Sequence, residues 1–198
     1  MTAPEDHQRG FERVVALSEA SKALLARSFK VNLLALDAMV QSKRGGGNLR
    51  GFDEVSSQMR LWSRDLHRDL QQLEARTRNL VARTSLVRKE KHTIDLLRAA
   101  ALASRNSALL AAYEARGERH EALERELAGD WRAVREMLGD LDQLGLMAIV
   151  LSRSAMIEAS SGSQAQREQL SSVSREFYRN SEAVTETIKT VLKTVDGR

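Results

Sequence analysis

Four histidines, His7, His67, His92 and His120, are the side chains of this chain whose ordinary pKa lies near neutrality. Two have a carboxylate one helical turn on: Asp95 after His92 and Glu124 after His120. A zinc site needs at least three protein ligands, and no H-E-x-x-H occurs, so both pairs read as surface contacts. His67 lies between Asp65 and Asp69 and reads as part of a solvated polar face. There is no cysteine, which excludes disulfides, thiolate metal sites and cysteine nucleophiles. Ser161-Gly162-Ser163 has no strand before it and is not a nucleophile elbow. Gly45-Gly46-Gly47 lacks the lysine and hydroxyl of a phosphate loop. With no acid/base or nucleophile constellation, neither catalysis nor a metal or cofactor is expected. What remains is recognition chemistry. Arg44 and Arg50 flank a glycine turn, and their guanidinium forks suit a partner's carboxylates.

The elements that carry these residues are helices. The 198-residue chain is 42% hydrophobic but only 4% aromatic, with one proline and 11 glycines. That is enough apolar material for a core and too little punctuation for a sandwich of short strands. The charge of +4 comes from 31 basic and 27 acidic residues mixed along the chain, as in Glu124-Arg125-Glu126. Such mixing reads as solvated helix faces rather than a clustered nucleic-acid footprint. No window approaches ~18 consecutive apolar residues, and the opening MTAPEDHQRG is too polar for a secretory segment. A cytoplasmic protein is expected.

From Asp6, a possible first cap, apolar or small residues recur in alternating steps of three and four: Val14, Leu17, Ser21, Leu24, Ser28, Val31, Ala35, Ala38. A second row, Leu25, Phe29, Leu33, Leu36 and Val40, widens this face toward that of a four-helix bundle. Ser42 to Asn48, with three adjacent glycines, is a turn. The seam resumes through Val55, Met59, Trp62, Leu66, Leu73, Thr77, Leu80, Thr84 and Val87. Its phase is lost at Arg88-Lys89-Glu90-Lys91-His92; Thr93 could cap a new helix and Gly117 close it. Further seams run from Leu127 to Ala159 and from Leu170 to Val195, separated by Ser160 to Ser163.

The chain repeats itself. Leu34 to Ser42 lies on Leu151 to Ala159 at a step of 117 positions; past each turn, Val55-Ser56-Ser57 lies on Leu170-Ser171-Ser172 and Trp62 on Phe177 at a step of 115. The expectation is an all-α, elongated antiparallel four-helix bundle of two hairpins. Residues 1–87 form the first, 88–121 a helical connector and 122–198 a second, degenerate hairpin. Whether the connector extends a helix or forms its own, and whether both turns lie at one end, stays open.

The segment from Phe29 through Arg50-Gly51-Phe52 to Val55 resembles the signalling hairpin of methyl-accepting chemotaxis receptors. Asn32, Leu34-Ala35-Leu36, Ala38, Val40, Arg44, Gly46, Arg50, Gly51, Phe52 and Val55 coincide with that family's tip residues. Asp37 stands where the family has asparagine, Gln41 for its glutamate, Gly47 for its acid and Leu49 for its glycine. In the second copy Ile149 replaces Asn32, Arg153 replaces Leu36 and Ser161 replaces Arg44, while Glu158 keeps the family's glutamate. The resemblance implies a tip turn of Gly45, Gly46, Gly47 and Gly51. It implies partner contacts or tip shaping by Asn32, Asp37, Gln41, Arg44, Arg50 and Phe52. It also implies a coupling adaptor, a histidine kinase or receptor tips as partners. A tandem pair of hairpins would let one chain imitate a receptor dimer. The alternatives are a helical scaffold or oligomerisation protein that has lost its partners, and a binder of nucleic acid or an anionic surface.

Overall fold

The computed structural model describes residues 4–44, 50–104, 106–161 and 163–196, with side chains from residue 10 onward. It contains four helices and, among the described residues, no strand: α1 (Pro4–Arg44), α2 (Arg50–Ser104), α3 (Ser107–Ala159) and α4 (Gln164–Asp196). Helices α1 and α2 pack together, as do α2 and α3, α3 and α4, and α4 and α1. The result is an all-α bundle in which every neighbour runs antiparallel, as the hairpin pattern predicts.

Local chemistry sets the boundaries. Helix α1 starts at Pro4, ahead of Asp6, where proline's missing N–H costs nothing. Asn106 is the N-cap of α3: its side chain accepts from Ala108 N at 2.9 Å. At α4, Ser163 N–H donates to Gln166 Oε1 at 3.0 Å, one half of a capping box.

Two expected boundaries are corrected. Thr93 lies inside α2, where its hydroxyl donates back to Lys89 O at 3.0 Å instead of opening a helix. Gly117 lies inside α3, and a Cβ there would meet nothing within 4 Å. The phase expected to be lost at Arg88 to His92 in fact continues through buried Val87, Glu90 and Ile94, with the Glu90 carboxylate taken up by Arg116 of α3. Past Ile94, where the described residues bury nothing up to Val134, backbone hydrogen bonds still carry the helices, and Ala and Leu support them. The connector is two arms, 88–104 finishing α2 and 107–121 beginning α3.

The seam residues form the core. Leu17, Leu24, Leu66, Leu70, Leu73, Leu80, Leu138 and Leu141 have at most 1% of their surface exposed. Each stabilises the fold by about 1.5–3 kcal/mol relative to exposure. The repeat is visible in this burial. All of α3's buried residues, Val134, Leu138, Leu141, Gly145, Ala148, Ser152, Ala155 and Ala159, have a buried counterpart 117 positions earlier: Leu17, Ser21, Leu24, Ser28, Val31, Ala35, Ala38 and Ser42. Trp62 and its counterpart Phe177 meet edge to face across the bundle with ring centroids 5.5 Å apart. The two hairpins thus relate by a pseudo-two-fold axis along the bundle.

Candidate interaction surface at the apex end

Both hairpin turns lie at one end. Gly51, in the first turn of α2, sits against the Glu158 carboxylate near the end of α3, and a Cβ on Gly51 would overlap it. Ser42 Oγ donates to Asp53 Oδ1 at 3.3 Å across the first turn. Lys30 on α1 pairs with Glu176 on α4 at 3.0 Å. Phe52 is wholly buried two residues into α2. It therefore holds the apex from inside and offers a partner no surface in this conformation.

The other expected residues divide by exposure. Lys43, Arg44 and Arg50 are exposed, and so is Asp37, which accepts from half-buried Gln41 at 3.4 Å. Asn32 faces inward: half-buried, it accepts from Arg60 Nη1 and from Ser63 Oγ, the latter at 3.1 Å. It clamps α1 to α2 within the hairpin. Gly51 is helical and belongs to a close approach rather than to the turn. Gly45, Gly46 and Gly47 lie outside the described residues.

The second apolar row of α1 is only partly core. Leu25 packs half-buried on it, but Phe29, Leu33 and Val40 are exposed. Their counterparts on α3, 117 positions on, are Leu146, Val150 and Ile157, and these are exposed too. All six show 42–69% of their surface to solvent. The reason lies in the seam beneath. Most of the buried residues of these stretches are small: Ser28, Ala35, Ala38 and Ser42 beside Val31 and Leu34 on α1, and Gly145, Ala148, Ser152, Ala155 and Ala159 on α3. Small seam residues draw the helices close, so the large neighbours on the flank are left outside. The steps 29, 33, 40 and 146, 150, 157 place each trio on one helix face. By the pseudo-symmetry, the two stripes lie on opposite sides of the bundle.

His67 departs from expectation. It is half-buried, its Nδ1 is 2.9 Å from Ser28 Oγ on α1, and its Nε2 is 3.1 Å from Gln71. Asp65 and Asp69 pair instead with Arg68, whose pKa the Asp69 hydrogen bond and both acidic charges push up. His120 Nε2 lies 3.3 Å from Glu124, as a side-chain pair of the expected kind, whereas Asp95 pairs with Lys91 at 3.4 Å rather than with His92. Among the described residues no group of three or more His, Asp or Glu side chains is placed to hold a metal ion, and no helix is long and apolar enough to cross a membrane. No family model matches this chain, and no curated protein matches it.

Proposed function

We propose that this bundle is a non-catalytic interaction protein that works through its apex end, as a soluble, cytoplasmic, chemoreceptor-like signalling or accessory component. Its partners are a coupling adaptor, a histidine kinase or the tips of receptors. The observation that supports this reading is the doubled stripe. Each repeat builds its apex-half seam mostly from Ala, Ser and Gly, with Val31 and Leu34 added in the first, and places Phe29, Leu33 and Val40, or Leu146, Val150 and Ile157, on the outside. Apolar anchors at i, i+4 and i+11 on one helix face suit docking into a partner's hydrophobic groove. Arg44 and Arg50, exposed just beyond the first stripe, add charged hydrogen bonds to acidic groups at the rim. The sequence resemblance selects chemosensory partners from the wider set that such a surface fits.

The test is capture of a purified coupling adaptor and histidine kinase by the full chain, compared with a Phe29→Glu, Arg44→Glu variant. Both side chains are exposed, so circular dichroism and melting temperature stay unchanged. Capture falls tenfold or more, on the order of the loss of one interfacial anchor. Equal capture by variant and parent, or none by either, refutes the proposal in favour of a scaffold without chemosensory partners.

A further inference from the structure

The duplication has kept more than the apolar stripes. At the step of 115 positions that carries Trp62 onto Phe177, Arg60 falls on Arg175 and Arg64 on Arg179. The members of each pair are four residues apart, so they share one face of α2 or of α4. Asn32 accepts from Arg60 and Ser28 meets His67, which sets Phe29 and Leu33 of α1 level with Arg60 and Arg64 of α2. By the repeat, Leu146 and Val150 of α3 stand level with Arg175 and Arg179 of α4. Each hairpin thus presents an apolar stripe on its first helix beside an arginine pair on its second.

Packing does not account for both members of each pair. Like charges four residues apart weaken a helix. Arg60 is held by Asn32, and Arg175 by its own helix through Ser171 O at 3.1 Å. Arg64 and Arg179 are exposed and have no hydrogen bond or ion pair among the described residues. The acids near them in sequence are engaged elsewhere: Asp65 with Arg68, Glu176 with Lys30 and Glu182 with Tyr178. Arg175 and Arg179 line an open cleft of about 440 Å³. Both halves therefore hold one unpaired guanidinium at the same place, where the fold makes no use of it.

We propose that the chain is bivalent: each hairpin docks one copy of the same partner, whose apolar groove is rimmed by carboxylates. This rests on the reading of the apex end as the interaction surface, and adds what the partner carries and how many copies are held. Charge complementarity selects the occupant. An apolar stripe alone fits many grooves, whereas an unpaired arginine beside it favours an acidic rim and rejects a basic one. Both copies fit at once, because the stripes lie on opposite sides of a bundle two helix diameters, or ~20 Å, across. The pseudo-two-fold axis along the bundle points both partners toward the same end of the rod. The halves are unequal, however. Arg44 and Arg50 at the first apex have Ser161 and Ala165 as counterparts. The second site is therefore weaker, by about tenfold for one missing charged hydrogen bond.

The test counts partners on the full chain. The probe is whichever of the purified coupling adaptor and histidine kinase the chain captures, added in excess, with the mass of the complex read by sedimentation velocity. Two copies per chain are expected, bound in two steps and more weakly as salt rises. Arg64→Glu and Arg179→Glu change exposed, unpaired side chains, so circular dichroism stays that of the parent. Each alone is expected to leave one copy bound at micromolar concentration, and the two together none. Saturation of the parent at one copy overturns the proposal and leaves the chemosensory reading standing. Two copies that withstand both charge reversals overturn the acidic rim and the proposal with it. Binding of the parent to phosphatidylglycerol vesicles, lost in the double variant, assigns the arginines to lipid and overturns it too. Capture of neither protein removes the chemosensory reading and this proposal together.

Discussion

Two glycines of α3 should respond in opposite directions to the same substitution. Gly145 is buried, and a Cβ added there would run into Thr185 Oγ1 on α4, with Thr185 Cβ and Cγ2 each at 3.2 Å. Gly139, six residues earlier on the same helix, has nothing within 4 Å of its would-be Cβ. Replacing a helical glycine by alanine gains about 1 kcal/mol of intrinsic propensity. At Gly139 that gain stands alone, so Gly139→Ala stabilises by about 1 kcal/mol. At Gly145 it is set against overpacking of about 1–3 kcal/mol, which leaves a net loss of about 0–2 kcal/mol. The threonine has little room to yield, because it is β-branched and its hydroxyl donates to Ser181 O at 3.0 Å. Adding Thr185→Ala removes the obstructing atoms and lets the new methyl fill the space. The double-mutant cycle should therefore return a favourable coupling of about 1–2 kcal/mol. Urea unfolding followed by circular dichroism measures all four variants. Equal stabilisation at Gly139 and Gly145, with no coupling to Thr185, refutes the close approach of α3 and α4 and the account of the exposed stripes built on it.

Trp62→Ala removes the ring that meets Phe177 and an indole N–H that donates to Leu144 O at 2.8 Å. It should cost about 3–5 kcal/mol, read as a lower urea midpoint. Asn32→Leu leaves Arg60 without its acceptor, while Ser63 Oγ keeps Arg60 O at 2.9 Å, so it should destabilise by about 1 kcal/mol in the same assay. If Asn32 is instead only a docking residue, that variant unfolds at the parent's midpoint and loses only capture.

The bundle was legible because the seam is regular. Val14 to Ala38 and Val134 to Ala159 alternate steps of three and four, and all of those positions are buried. The repeat was legible from Leu34 to Ser42 against Leu151 to Ala159, and burial follows it position by position. Periodicity alone, however, does not say which of two adjacent rows is core. Leu25 packs inward and Phe29 outward, although both are large and apolar, because the decision depends on how closely the neighbouring helix approaches over Ser28 and Ala35. The break at Asn106 was equally hidden. Thr93 and Gly117 have stronger composition cues for a helix end, but neither terminates a helix where no tertiary contact requires one. His67 looked solvated between two aspartates, yet Arg68 takes both carboxylates and the ring reaches Ser28.

The distribution of large side chains explains why the two ends differ. In the apex half, α2 and α4 supply the bulk of the core through Phe52, Met59, Trp62, Leu170 and Phe177, while α1 and α3 supply mostly Ala, Ser and Gly, with Val31 and Leu34 the larger exceptions on α1. That division lets a thin core hold the helices together and releases the large residues of α1 and α3 to the flanks. A stripe displaced from the core by small residues beneath it can be altered at little cost in stability, which is the condition for a surface that recognises something. At the far end the logic is reversed. There Leu96, Leu102 and Leu110 are exposed because α2 and α3 outrun α1 and α4. One molecule thus carries two kinds of exposed apolar surface: one made by packing too closely, the other by packing against nothing. A substitution at Phe29 should for that reason weaken partner capture, and one at Leu102 should leave it unchanged.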